Sequence, residues 1–255
     1  MNSVGRIPTN LRTLLILEIL GNSDKALTPT EINSKIGLPK QTVHRLCATL
    51  EAEGYLGREP GGKRLFPSAR SRQLASGIIF NSRSQISIQQ ILVGIASKVR
   101  ETINFVVPRD QGMMYFDRVE TDWPFRIQLP VGSNVPFHCT ASGKTFIASM
   151  PPAKRMSFVK SIRLEKLTPN TFTDESSLLI ELSRVSEQGF AVDNEEFIEG
   201  MIAVAVPIFD RKSRFCAALA FHAPVQRMSL EAAVSHRQSL IEAARKISET
   251  LFMSS

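Results

Sequence analysis

Residues 37–59, GLPKQTVHRLCATLEAEGYLGRE, carry the reading on which the fold turns. Val43, Leu46, Cys47 and Leu50 recur at the spacing of one helical face, so a helix opening at Leu38-Pro39 and running to Gly54 buries a single apolar stripe. The other face presents Lys40, Gln41, Thr42, His44, Arg45 and Thr49, all hydrogen-bonding types. Base edges in the major groove offer donors and acceptors that such side chains can pair with. Just upstream, Thr28-Pro29-Thr30-Glu31 is a helix start: Thr28 caps, Pro29 fits the first turn, and Glu31 reaches back to the cap amide. Gly37 stops that helix after about two turns. Before it, a helix over 10–21 carries Leu11, Leu14, Leu15 and Leu17. Downstream, strands are expected over 55–58 and 63–66 around Gly61-Gly62, a hairpin wing with Lys63 and Arg64 at its tip. Helix, glycine turn, reading helix and wing together predict a winged helix-turn-helix placed on double-stranded DNA.

The charge distribution supports that reading. Residues 1–83 hold twelve Lys/Arg against six Asp/Glu, while residues 84–255 hold nineteen against eighteen. A basic head on a neutral body suits a polyanion partner. Cys47, Cys139 and Cys216 are scattered, which excludes a disulfide framework or a Cys-rich zinc site and fits a reducing cytoplasm. No signal peptide or membrane span is expected.

The same stretch resembles the IclR family of bacterial regulators. Thr30-Glu31-Ile32, Gly37-Leu38-Pro39, Thr42, Arg45-Leu46, Thr49-Leu50 and Glu51 through Gly54-Tyr55 follow its pattern. The second wing strand departs from it: the family's Arg-Tyr-x-Leu-Gly run is here Arg64-Leu65-Phe66-Pro67-Ser68. In the rest of the chain, Pro136 to Lys144, Thr168-Pro169-Asn170-Thr171, Gly189 to Glu196, Gly200, Pro207 and Ala223-Pro224 also match. The resemblance implies an α+β chain in which a GAF-like effector domain, an antiparallel sheet flanked by helices, follows the DNA-binding head. It implies a homodimer or dimer of dimers.

Residues 1–67 are thus read as the winged helix, 68–84 as a linker helix capped by Ser68, and 85–255 as the effector domain. In the last, a helical segment over 86–103 should precede strands over 103–107, 113–120 and 126–129. Helices follow near 141–150 and 174–188, the latter capped by Thr173 and ended by Gly189. A hairpin of 201–209 and 214–222 precedes a final helix from Ser229 to about 251.

Gly143-Lys144-Thr145 has the ending of a phosphate-binding loop, but the position needing the first glycine is His138, so no nucleotide site is expected. The small residues Thr140, Ala141, Ser142 and Gly143 lead instead into a helix N-terminus, whose amides favour a carboxylate. The resemblance places the effector there too, at Ala141 and Ser142, and adds Ile127, Asp193, Ala203, Ala220 and His222. Where relatives often carry polar groups, Ala203 and Ala220 leave room for an apolar part of the ligand. His222, neutral or protonated, can supply a donor, and equally can be a strand histidine with a backbone partner. The expected ligand is a small organic acid. No elbow serine, zinc-protease helix or dinucleotide loop is present, so neither catalytic residues, metal nor cofactor are expected. The alternatives are an enzyme acting on a small carboxylate and a constitutive DNA-binding adaptor.

Overall fold

The computed structural model describes residues 7–23, 25–80, 84–124, 126–127 and 129–252, which divide into two compact units, Met1–Asn81 and Ser82–Ser255. In the first, a short 3-10 turn (Thr9–Leu11) leads into α1 (Arg12–Gly21), α2 (Pro29–Ile36), α3 (Lys40–Ala52), the paired strands β1 (Leu56–Arg58) and β2 (Leu65–Pro67), and α4 (Ala69–Phe80). The capping box forms as expected, with Thr28 Oγ1 accepting from the Glu31 amide at 3.2 Å and Glu31 Oε2 accepting from the Thr28 amide at 2.7 Å. Gly37 ends α2 at φ 69°, a left-handed conformation that costs glycine little. Ile16, Leu20, Ile32, Val43, Cys47 and Leu50 fuse the three helices into one core, and Leu56 and Leu65 bring the wing onto it. Leu65 also exchanges backbone hydrogen bonds with Leu27, so the wing is tied to the segment before α2.

Of the linker helix expected over 68–84, α4 forms Ala69–Phe80, and its start is bonded to this unit. Ser71 Oγ donates to the Tyr55 carbonyl at 2.6 Å, and Arg70 donates to the Glu53 carbonyl while stacking over the Tyr55 ring. Residues 81–83 of that linker lie outside the described residues.

The second unit contains α5 (Ser84–Val99), β3 (Thr102–Arg109), β4 (Gly112–Val119), β5 (Asn134–Val135), α6 (Ala141–Ala148), α7 (Pro152–Ser161), α8 (Glu175–Gln188), β6 (Ala191–Asn194), β7 (Met201–Phe209), β8 (Phe215–Pro224), α9 (Leu230–Ser235) and α10 (Arg237–Phe252). The strands form one antiparallel sheet in the order β5-β4-β3-β8-β7-β6. Several expectations are corrected. The helix expected over 86–103 stops at Val99, because Arg100 turns left-handed at φ 60° and Thr102 opens β3. Residues 126, 127 and 129 form no strand, residue 128 lying outside the described residues; the sheet edge is Asn134–Val135. Asp174, not Thr173, caps α8. The final helix breaks at His236. Helix α7 and strand β6 were not expected. No described helix is long and apolar enough to cross a membrane.

Residues opposite one another in an antiparallel pair share a face. One face of this sheet is apolar, with Ile103, Phe221 and Val204 in one row and Phe105, Leu219 and Val206 in the next. It packs on α5 and α10. The other face, under α6, carries Arg118, Asn104 and Ala220 in register, and beside them Thr102, His222, Ala203 and Asp193.

Helix α6 is pinned to this face by two features. A Cβ at Gly143 would overlap the Phe137 carbonyl oxygen, so only glycine permits the approach. Lys144, wholly buried, places Nζ 2.5 Å from Glu196 and 3.4 Å from Glu181 on α8. Replacing Lys144 by Met leaves Glu196 buried without its cation, while Glu181 keeps Arg184 at 2.8 Å, a loss of about 3–5 kcal/mol at neutral pH. Burial already pushes the Glu196 pKa up with Lys144 present. Without the lysine it rises further above the unfolded value, so the defect should shrink as pH falls and grow as pH rises. Calorimetric melting of the full chain at several pH values checks this, and a pH-independent defect would contradict it.

Candidate functional site

On α3, the side chains of Lys40, Gln41, His44 and Arg45 are exposed, and none bonds another described residue. Thr42 is half-buried beside them. These groups stand clear because Val43, Cys47 and Leu50 take the opposite face into the core. Lys63 is exposed at the turn that closes with the Glu59 amide donating to the Arg64 carbonyl. Arg64, expected at the wing tip, turns back: its guanidinium donates to the Ala26 carbonyl at 2.7 Å and pairs with Glu31 at 3.1 Å. The Leu27–Leu65 bridge brings it there. Arg58 likewise pairs with Glu51, through Nε and Nη2.

In the second unit, the expected effector residues gather on the α6 face, with roles that differ from expectation. Thr140 caps α6 by accepting from the Gly143 amide at 3.1 Å, and its hydroxyl donates to the Pro136 carbonyl. The Lys144 amide is taken by the Thr140 carbonyl. Part of the amide set proposed for a carboxylate is therefore already bonded, and the small size of Gly143 serves packing. Lys144 is held by its two glutamates, away from any phosphate role.

His222 is 4% exposed, and burial lowers its pKa to about 4, so it is neutral at pH 7. Its Nε2 lies 3.2 Å from the Ile127 carbonyl, and its Nδ1 lies 3.2 Å from Asn104 Nδ2. Desolvation thus disfavours an imidazolium at this position. Ile127, expected as a strand residue, lies in no strand and is held by its carbonyl. Asp193 is 1% exposed, and burial first, then the charge of Glu196, raises its pKa to about 8. Its Oδ1 accepts from the Glu196 amide at 2.8 Å, while Oδ2 has no hydrogen-bond partner among the described residues. Ala203 and Ala220 are buried between these polar groups, and Ala141 and Ser142 are buried at the start of α6.

Two residues that sequence reasoning missed complete the site. Arg118, whose side chain is 6% exposed, donates through Nη1 to the Leu129 carbonyl, and its Nε and Nη2 have no hydrogen-bond partner among the described residues. Asn104 is 1% exposed, and its Oδ1 is likewise unpartnered. The charge of Arg118 reaches both Tyr115 and His222, and burial pulls its own pKa down. The arrangement can take a small anion into a desolvated, partly apolar place.

The IclR helix-turn-helix domain matches residues 11–60, and the bacterial transcriptional regulator IclR C-terminal domain matches residues 83–249. The chain belongs to the IclR family of bacterial transcriptional regulators. It is 40% identical over 221 residues to the probable transcriptional regulator SauR of Cupriavidus necator, covering 87% of this chain and 88% of that one. It is 25% identical over 248 residues to the transcriptional repressor IclR of Escherichia coli, covering 96% and 90%. The crystal structure of the Thermotoga maritima IclR resembles it with a TM-score of 0.63 at 26% identity, over 95% of this chain and 98% of that one. This IclR-type chain is a DNA-binding transcriptional regulator with an effector-binding C-terminal domain, and not an enzyme.

The depressed His222 pKa has a consequence for stability. Below its ordinary value of 6.5 the unfolded chain takes up a proton that the folded chain accepts only near 4. The stabilisation is complete above 6.5 and is lost as pH falls through that window. His222→Gln should therefore flatten the acid-side decline in melting temperature, leaving what is due to His138, whose pKa burial also lowers, and to carboxylates such as Asp174 and Asp210 whose pKa is lowered. An unchanged slope in the variant would show that His222 is not buried neutral.

Proposed function

We propose that this IclR-type regulator binds double-stranded operator DNA as a homodimer or dimer of dimers, and that a small organic acid on the α6 face of the sheet changes that binding. The acid reading rests on one observation: Asn104, Arg118 and Asp193 bury polar atoms without hydrogen-bond partners among the described residues, on a face that also carries Ala203 and Ala220. Unsatisfied groups of this kind cost about 1–3 kcal/mol each. A small polar ligand that met them would recover that energy, while Ala203 and Ala220 accommodate its apolar part. Action on operator DNA implies a cytoplasmic protein.

For DNA, the support is the row Lys40, Gln41, Thr42, His44 and Arg45 on α3, together with Lys63 at the wing. Arg64 braces the wing against α2 in this reading, and the phosphate contact falls to Lys63. One winged helix covers a short half-site, so two heads are needed for a specific genomic site. Leu74 and Ile78 on α4 stay exposed after Arg70 and Arg72 have bonded the wing region, which offers an apolar surface for self-association. Light scattering that gives a monomer with and without operator would overturn that part.

Replacing Gln41 or Arg45 by Ala should flatten discrimination between operator and random DNA by roughly 1–3 kcal/mol for each side chain that reads a base edge. Lys63→Ala should weaken binding to every sequence alike and reduce the salt slope by about one. Gel-shift titrations at several salt concentrations separate the two effects. If neither α3 substitution touches specificity, the reading helix is misassigned.

A further inference from the structure

We propose that Arg118 takes the carboxylate of the effector side-on through Nε and Nη2, and that Asn104 Oδ1 accepts a hydrogen bond from a hydroxyl beside that carboxylate, so that the ligand class is a 2-hydroxy acid. This rests on the reading that an organic acid binds on the α6 face.

The guanidinium carries the first half of the argument. Nε–H and Nη2–H point the same way and form the edge that matches the two oxygens of a carboxylate. On Arg58 and Arg227 that edge is filled by an acid: Glu51 on the first, and Glu101 on the second at 2.5 and 2.8 Å. On Arg118 it is filled by nothing among the described residues. Glu120 approaches Nε only to 3.6 Å and is shared with Arg126, which it meets at 3.2 Å. Two guanidinium groups beside one carboxylate leave a net positive charge. Nη1 meanwhile holds the Leu129 carbonyl, which fixes the plane of the group.

The amide carries the second half. A carbonyl oxygen only accepts, so the His222 nitrogen facing Ile127, Nε2, bears the proton. Nδ1 of the neutral ring is then an acceptor and requires Asn104 to present Nδ2 to it. The Asn104 orientation follows, and Oδ1 is left as an acceptor in need of a donor. Asn104 and Arg118 are opposite one another across β3 and β4, so both side chains rise from one place on the same face of the sheet. A carboxylate alone cannot supply both partners, because Asn104 Oδ1 would meet another acceptor. A carboxylate with a neighbouring hydroxyl supplies both.

The test is calorimetric titration of the full chain with matched probes: lactate against propionate and lactamide, malate against succinate, with benzoate as an apolar acid. The parent is expected to prefer the hydroxy acid over both its deoxy acid and its amide. In Arg118→Gln the preference of lactate over lactamide should collapse, by roughly tenfold to a hundredfold for a charged hydrogen-bonded contact. Arg118→Lys keeps the charge without the fork and should fall between the two, which guards against a variant that merely fails to fold. An acid that binds Arg118→Gln and the parent alike would overturn the Arg118 assignment while leaving the acid reading intact. Equal affinity of the parent for lactate and propionate, and for malate and succinate, would overturn the Asn104 assignment. If none of these acids binds the parent, the acid reading itself fails, and this inference with it.

Discussion

The Lys144 ammonium, buried between Glu196 and Glu181, joins three parts of the effector domain: α6, α8 and the turn after β6. A charge in such surroundings stays stable only while its partners stay put. Helix α6 is therefore held across the sheet, with Gly143 against the Phe137 carbonyl, and everything beneath it is withdrawn from water. That withdrawal explains the rest of the site. Desolvation makes His222 neutral, keeps a proton on Asp193 near neutral pH and leaves Arg118 a buried cation.

The two units use polar side chains in opposite ways. On α3 the donors are exposed and unbonded, available to a partner that brings its own acceptors. Under α6 the donors and acceptors are buried and mostly bonded to each other, so the few open atoms define what a ligand must offer. Ile127 and Leu129 join the same network, since their carbonyls are held by His222 and Arg118. A ligand that engaged Arg118, as proposed, would meet the group that holds the Leu129 carbonyl.

Much of this was legible locally. The Thr28 capping box, the left-handed Gly37 and Gly189, and the hairpin of β7 and β8 are set by short-range chemistry, and the residues there announce it. Arg118 was not legible for a definite reason. Strand alternation through Met113, Tyr115 and Asp117 would send Arg118 to the opposite face. The register shift at Phe105/Val106 breaks that alternation, pairing Val106 with Tyr115 and Asn104 with Arg118, so Tyr115 and Arg118 share a face three residues apart. Residues 126–129 read as a strand from their composition, but among the described ones Ile127 and Leu129 are held by the side chains of His222 and Arg118 rather than by a neighbouring strand. Helix α7 was not expected, though Pro152 occupies its first turn, where proline is tolerated.

The account's central claim is that the acid site and the DNA site share free energy. The direct measurement is calorimetric titration of the tightest-binding acid into the full chain, with and without saturating operator DNA. Linkage requires that the factor by which the acid changes operator affinity equals the factor by which operator changes acid affinity. The account predicts a change of several-fold or more in acid affinity, matched by the reciprocal gel-shift ratio. Identical acid affinity with and without operator would contradict it.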